Sequence, residues 1–167
     1  GDLFVAAAGA STHGARYAAD ARAAGAVAAL TDPAGAEWVP AGMPLIVVDD
    51  PRGLLGRLSA WFYGHPATAL KTIGVTGTQG KTSTTFLIDA ALGERSSGLI
   101  GSMGSKIDGI PVPTKLTTPE APALHALLAK MREEGVTWVS SEVSSQAITM
   151  RRVDGLVFDV AVFLNLG

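Results

Sequence analysis

The chain contains no cysteine. Disulfides and thiolate metal sites are therefore excluded, in keeping with a cytosolic compartment. It also lacks any apolar run approaching the roughly 18 residues that a membrane-spanning helix needs. Charge is sparse, at 17% of residues, and nearly balanced, with a net charge of −2 and a pI near 5.9. No basic stripe recurs, which argues against a general nucleic-acid or anionic-membrane partner. Internal repeats and low-complexity tracts are absent, and the alanine-rich first quarter is compositional bias only. The N-terminus, Gly1-Asp2-Leu3-Phe4, has neither Met nor a signal peptide. The C-terminus, Phe163-Leu164-Asn165-Leu166-Gly167, follows directly on a strand-like run. Both ends read as cuts in a longer chain.

What is present is apolar. Of 167 residues, 47% are hydrophobic, enough for a sizeable core in one or two small domains. Strands are expected at residues 3–8, 27–30 and 45–48, the last of them buried. A helix is expected at 15–24, ended by Gly25. Pro51 suits the first turn of a further helix, running to about Tyr63, with Leu54, Leu55, Leu58 and Phe62 on one face. Gly64-His65-Pro66 is the best linker, and it divides the chain into residues 1–67 and 68–167. Beyond it, strands are expected at 72–75, 98–100, 138–143 and 158–164, the last unbroken and buried. Helices are expected at 81–92 and 119–134, the latter with Leu124, Leu127, Leu128 and Met131 inward. Residues 106–112 read as an exposed hairpin around Asp108-Gly109, and 144–150 as a short helix or turn. The alternation of β and α segments predicts an α/β fold, with a parallel or mixed sheet and crossover helices.

One segment carries chemistry by its spacing. The strand Thr72-Ile73-Gly74-Val75 runs into Thr76-Gly77-Thr78-Gln79-Gly80-Lys81-Thr82, and a helix follows directly. This is the setting of an ATP phosphate-binding loop. Glycines let the backbone wrap so that successive N–H groups face one anion, and the helix N-terminus adds positive potential. Lys81 would reach the outer phosphates, and the Thr82 hydroxyl would ligate Mg²⁺. A strict Walker A pattern wants Gly at position 75, where Val75 stands, so the loop is a variant. The plain alternative is an ordinary glycine-rich βα turn.

Two further segments stand out. Leu116-Thr117-Thr118-Pro119-Glu120 is explained equally well as a substrate contact or as a helix start, with Thr118 as N-cap and Pro119 at the first helical position. In Ser141-Glu142-Val143-Ser144-Ser145-Gln146-Ala147, Glu142 falls at the C-terminal end of an expected strand, where ligands bind in open α/β sheets. A carboxylate there needs a partner. A phosphate-held Mg²⁺ would serve, as would an Arg or the start of the following helix.

Taken in order, these residues resemble the Mur ligases, and within them the MurE type, the UDP-N-acetylmuramoyl-tripeptide synthetases, with an actinobacterial cast. The resemblance rests on Gly-Val-Thr-Gly-Thr-x-Gly-Lys-Thr, Thr-Thr-Pro-Glu, Glu-Val-Ser-Ser-x-Ala, Arg-Val and Phe-Asp-Val-Ala-Val-Phe-x-Asn-Leu, and it covers almost the whole chain. It implies a small N-terminal α/β uridine-nucleotide domain, then the first part of a P-loop-containing central domain. It also implies a cytoplasmic, monomeric enzyme of peptidoglycan precursor synthesis. That enzyme joins meso-diaminopimelate or L-lysine to UDP-MurNAc-L-Ala-D-Glu through an acyl phosphate, with ATP and Mg²⁺. By the resemblance, Gly77, Thr78, Gln79, Gly80, Lys81, Thr82 and Ser83 bind ATP. Lys81 and Glu142 are catalytic, and Thr82 and Glu142 hold the metal. Thr117, Thr118, Ser144 and Arg152 bind the muramoyl substrate, and Ala10, Ser11 and Thr12 surround the uridine diphosphate. On their own, the last three read equally well as a solvated polar loop.

The chain departs from the family pattern in places. Gln79 stands for Asn and Ser83 for Thr, Gln146 for His, Met150 for a frequent Gln, and Ser141 for a Met. Met150 cannot supply the amide's hydrogen bonds, which puts a substrate contact there in doubt. The family's Ser-x-Asp-His stretch, carbamylated lysine and C-terminal domain do not occur in these residues, nor does its Asp-Ser-Arg segment. The expectation is a fragment that is inactive alone. The alternatives are another Mur-type ligase, such as MurF or a muropeptide ligase, and a non-catalytic nucleotide-binding paralogue, which Gln146 and Met150 would suit.

Overall fold

The computed structural model describes residues 1–9, 11–93 and 96–167. They form two compact units, Gly1–Leu55 and Gly56–Gly167. The first unit holds a parallel three-stranded sheet of β1 (Asp2–Val5), β2 (Ala26–Thr31) and β3 (Leu45–Val47), in that order, with helix α1 (Ala18–Ala23) connecting β1 to β2. Helix α2 (Pro51–Phe62) runs across the division in the chain.

The first unit departs from local expectation in three ways. β1 ends at Val5, because the chain turns back and Ala8 bridges His13 in antiparallel fashion. The helix expected from residue 15 opens as a 3-10 turn, Gly14–Tyr17, capped by His13, whose Nδ1 accepts from the Ala15 N–H at 3.1 Å. The third strand was expected to be buried. It is instead the edge of its sheet, and Val47 is 49% exposed. An apolar run reports hydrophobicity, whereas its place in the strand order decides how much neighbouring chain covers it. Phe62 is likewise 72% exposed, off the inward face expected for its helix.

The second unit is built on a mixed six-stranded sheet. Its strands are β4 (Lys71–Thr76), β5 (Ser97–Gly101), β6 (Gly104–Ile107), β7 (Ile110–Val112), β8 (Trp138–Glu142) and β9 (Val160–Phe163). The spatial order is β7-β6-β5-β8-β4-β9, with β5, β8, β4 and β9 parallel and the β6–β7 hairpin antiparallel. The hairpin turns at Asp108 and Gly109, both at positive φ (48° and 77°), as the sequence predicts for Asp-Gly. Helices α3 (Lys81–Leu92), α4 (Ala121–Glu133) and α5 (Ser145–Thr149) complete the unit. The core sets Leu124, Leu127, Leu128 and Met131 of α4 against Ile100, Ile107 and Val139 of the sheet. That is the inward face the 3.6-residue spacing predicts. β9, expected to be buried, is an edge strand, with Phe163 67% exposed.

Among the described residues, no helix is long and apolar enough to cross a membrane.

Candidate nucleotide and cation site

Strand β4 is fixed at its start by Asp159. That carboxylate accepts from the Thr72 N–H at 2.9 Å and pairs with Lys71 Nζ at 3.2 Å. These two contacts, the N–H first, hold it below the ordinary carboxylate range. At its other end β4 opens into residues 77–80, and α3 begins at Lys81. Gly77 (φ 143°) and Gly80 (φ 85°) take backbone conformations that L side chains rarely adopt. A Cβ on Gly77 would also lie 3.1 Å from the Asn165 nitrogen and 3.2 Å from its carbonyl oxygen. The helical ladder starts with the Thr84 N–H on the Gly80 carbonyl at 2.9 Å. The first-turn amides ahead of it have no intrahelical acceptor. Lys81 Nζ donates to the carbonyls of Gly77 (2.6 Å) and Thr78 (3.2 Å), which holds the ammonium over the loop. Thr78, Gln79, Gly80 and Ser83 are exposed.

Three parallel strands deliver the polar side of the site. Thr82, in the first turn of α3, lies 3.0 Å through Oγ1 from Ser102 Oγ, just after β5. Ser102 in turn donates to Glu142 Oε1, from its N–H at 2.9 Å and from its hydroxyl at 3.2 Å. Glu142 ends β8 and is 1% exposed. Neither plain alternative for this carboxylate holds. The following helix, α5, is capped by Ser144, whose hydroxyl accepts from the Ala147 N–H at 3.1 Å, and Arg152 pairs with Glu120. Glu142 fits here because Gly101 has no side chain: a Cβ there would lie 2.4 Å from Oε1. Sequence reasoning missed Ser102. Its only signal is its place directly after a strand in a Gly-Ser-Met-Gly stretch, and that stretch reads as a turn.

The donor set suits magnesium. A hydroxyl and a carboxylate are hard oxygen donors, and Mg²⁺ takes only one or two protein groups when phosphates supply others. Among the described residues, no group of three or more His, Cys, Asp or Glu forms a metal cage. A cation here would thus rely on phosphate.

The remaining expected residues are placed as follows. α4 starts at Ala121, with Glu120 as its N-cap and Pro122 in its first turn, so Thr118 is not the N-cap. The Glu120 side chain makes no capping bond. It lies 2.8 Å from Arg152 Nε, as an ion pair rather than an aligned hydrogen bond. Thr118 is fully buried. Its hydroxyl donates to the Glu142 carbonyl (2.8 Å) and accepts from the Ser144 N–H (3.2 Å), which ties the end of β8 in place. Thr117 is half-buried next to it. Arg152 also approaches the Thr118 carbonyl through Nη1, at 3.4 Å. The loop thus shares one strand-end region with Thr82, Ser102, Glu142, Thr118 and Ser144. Gln146 is exposed and Met150 half-buried.

In the first unit, Ser11 and Thr12 are exposed, and Ala10 lies outside the described residues. The Thr12 carbonyl accepts from the Gly9 N–H at 3.0 Å. Next to it, His13 Nε2 meets both Asp32 oxygens at 3.0 and 3.1 Å. Because His13 Nδ1 accepts, Nε2 carries the proton. The His13 hydrogen bond holds the Asp32 carboxyl below its ordinary range, against the opposing effect of burial.

Comparison with known proteins points to one family. The family model described as the Mur ligase middle domain matches residues 75–167. A second, described as the Mur ligase family catalytic domain, matches residues 1–63. A UDP-N-acetylmuramoyl-L-alanyl-D-glutamate--2,6-diaminopimelate ligase of Streptomyces avermitilis is 53% identical over 99% of this chain and 33% of its own length. A ligase of the same name from Corynebacterium glutamicum is 54% identical over 98% of this chain and 33% of its own length. The chain spans about a third of the length of the curated relatives it matches. A solved structure of a ligase with that name superposes with a TM-score of 0.75 at 27% identity, covering 100% of this chain and 34% of its own. A MurF ligase from Thermotoga maritima, in complex with ADP, gives 0.63 at 22% identity over 100% and 35%, a likeness of fold. The middle-domain match alone takes in more than half of the residues, and the chain belongs to the Mur ligase family.

Proposed function

We propose that this chain carries the uridine-nucleotide and ATP-binding parts of an ATP-dependent ligase that adds a diamino acid to UDP-MurNAc-L-Ala-D-Glu. The observation that carries the reading is the convergence of the phosphate loop, Thr82, Ser102 and buried Glu142 at the ends of three parallel strands. The names of relatives above 50% identity favour 2,6-diaminopimelate as the diamino acid. Residues 1–67 are assigned to the uridine nucleotide, with Ser11 and Thr12 and the adjoining Ala10 as its loop. Residues 68–167 are assigned to ATP. The two family matches, 1–63 and 75–167, fall on either side of that boundary.

A carboxylate is a poor acyl donor until phosphate replaces one of its oxygens as leaving group, so the enzyme must bring two polyanions together. In this reading the loop residues 77–83 form the cradle for the triphosphate at the start of α3, and Lys81 neutralises the outer phosphates. Thr82 and Glu142 are the ligands for Mg²⁺, which when bound offsets phosphate charge. Thr117, Thr118, Ser144 and Arg152 are assigned to the muramoyl side. Thr118 acts there by shaping the strand end, since its hydroxyl is already engaged on both sides. A cytoplasmic monomer goes with this reading.

The test is ATP hydrolysis by the full-length protein. Turnover should require both UDP-MurNAc-L-Ala-D-Glu and the diamino acid. ATP turnover indifferent to the muramoyl substrate would remove the ligase assignment.

A further inference from the structure

Asn165 belongs to the Phe-x-Asn-Leu motif at the end of the second unit. It follows β9 and reaches back across 86 and 87 residues of sequence to the phosphate loop. Its Oδ1 accepts from the Thr78 N–H at 3.1 Å and from the Gln79 N–H at 3.0 Å. Its Nδ2 donates to the Gln79 carbonyl at 3.1 Å. The backbone joins in: the Thr78 N–H is shared with the Asn165 carbonyl at 3.3 Å, the Leu164 N–H donates to the Thr76 carbonyl at 3.0 Å, and the Gly167 N–H to Thr78 Oγ1 at 3.0 Å. This pattern fixes the orientation of the amide group, since two N–H donors need the oxygen and a carbonyl needs the nitrogen. The close passage of Asn165 under Gly77 explains why that position excludes a side chain.

The consequence concerns which donors face a ligand. A phosphate loop offers successive amides to one anion, and here two of them are already taken by a side chain of the same protein. The amides of Gly80, Lys81, Thr82 and Ser83 stand ahead of the first helical hydrogen bond and are not so engaged. We propose that Asn165 is a positioning residue of the phosphate loop: it takes the Thr78 and Gln79 amides, holds the loop's shape, and leaves the phosphates to the amides of residues 80–83 with Lys81. The proposal rests on the nucleotide reading above. It gives Thr78 and Gln79 a structural share in the loop and sets the ligand's phosphates nearer the start of α3.

The test pairs amide hydrogen exchange with MgADP titration on the full-length protein. In the ligand-free Asn165→Ala variant, exchange at Gln79 should quicken at least about tenfold, and at Thr78 by less because the residue-165 carbonyl still accepts from it, while residues 72–75 of β4 keep wild-type rates. MgADP should bind this variant about tenfold more weakly, as expected when three loop hydrogen bonds are lost. Asn165→Asp keeps the oxygen acceptor and should restore protection at Thr78 and Gln79, a rescue that a general loss of packing would not show. In the wild type, MgADP should add protection at residues 80–83 and leave Thr78 and Gln79 unchanged. Unaltered Gln79 exchange in Asn165→Ala, or MgADP affinity within about twofold of wild type, overturns the inference. So does faster Thr78 and Gln79 exchange on adding MgADP to the wild type, because Asn165 would then be surrendering those amides to phosphate. If Asn165→Ala unsettles β4 as well, Asn165→Asp decides alone. A wild type that does not bind MgADP refutes the nucleotide reading itself, whereas the ligand-free exchange still reports on the Asn165 contact.

Discussion

Lys81 and Glu142 show how single residues acquire roles through what surrounds them. The Lys81 ammonium makes two charge-assisted bonds to loop carbonyls, a position from which it can exchange those acceptors for phosphate oxygens. Replacing it with Ala should weaken MgADP binding about 10- to 100-fold, the worth of charge-assisted bonds, with an unchanged far-ultraviolet circular dichroism spectrum. Glu142 is aimed by Ser102, which offers it two donors and also touches Thr82. Ser102→Ala should therefore lower the affinity of the ADP-bound protein for Mn²⁺, a spectroscopic substitute for Mg²⁺, by about tenfold. Paramagnetic titration would measure this, and unchanged Mn²⁺ affinity would deny Ser102 the role. Gly101→Ala should do more harm, since its Cβ would fall 2.4 Å from Glu142 Oε1 and force the carboxylate to move. The loop, Glu142 and their spacing were legible in the sequence because each sits at a strand end that local pattern reveals. Ser102 was not, because a serine in a glycine turn carries no pattern.

Among the elements, α4 was the most legible. Its apolar residues recur at helical spacing, and all of those expected inward are buried against the sheet. Leu128→Ala should cost about 2–5 kcal/mol in a urea titration. Phe62 fits a similar pattern on α2, yet its ring is exposed, and Phe62→Ala should change stability by no more than about 0.5 kcal/mol. A large loss there would mean that the ring is covered. β3 and β9 make the same point for strands. Both are apolar runs, which predicts burial, and both are edges, which exposes them. Helix starts were misplaced for a related reason. Thr118 has the right chemistry for an N-cap, but its hydroxyl is committed to Glu142 and Ser144, so α4 begins later.

For the whole molecule, the clearest physical expectation is its response to acid. His125 in α4 is fully buried, and its Nε2 meets the Asp154 carbonyl at 3.2 Å. Burial, opposed in part by that carbonyl and reinforced by the charge of His65, pushes its pKa below the ordinary 6.5. The unfolded chain therefore binds the proton more readily than the folded one. Stability should be complete above the ordinary value and decline as pH falls through it toward the folded value. The thermal midpoint should drop between about pH 7.5 and about pH 5.5, and His125→Gln should flatten that slope. An equal slope in the variant would assign the effect elsewhere. Asp32 and Asp159 act in a lower window: their carboxyls are held below the ordinary 3.8, so their stabilisation is lost only as pH falls beneath it.

The order of motifs along the chain determined the family, and local pattern determined the α/β class and the glycine-containing loop between β4 and α3. These depend on residues within a turn or a strand of one another, where spacing alone dictates which groups point together. Only the tertiary structure decided which strands are edges, that Ser102 joins Thr82 to Glu142 across 20 and 40 residues, and that Asn165 takes two loop amides from 86 and 87 residues away. Such contacts follow from the spatial order β5-β8-β4-β9, which brings distant strand ends to one side of the sheet. Strand order is set by how the whole apolar surface is buried, a property of the assembled chain that no short stretch of it encodes.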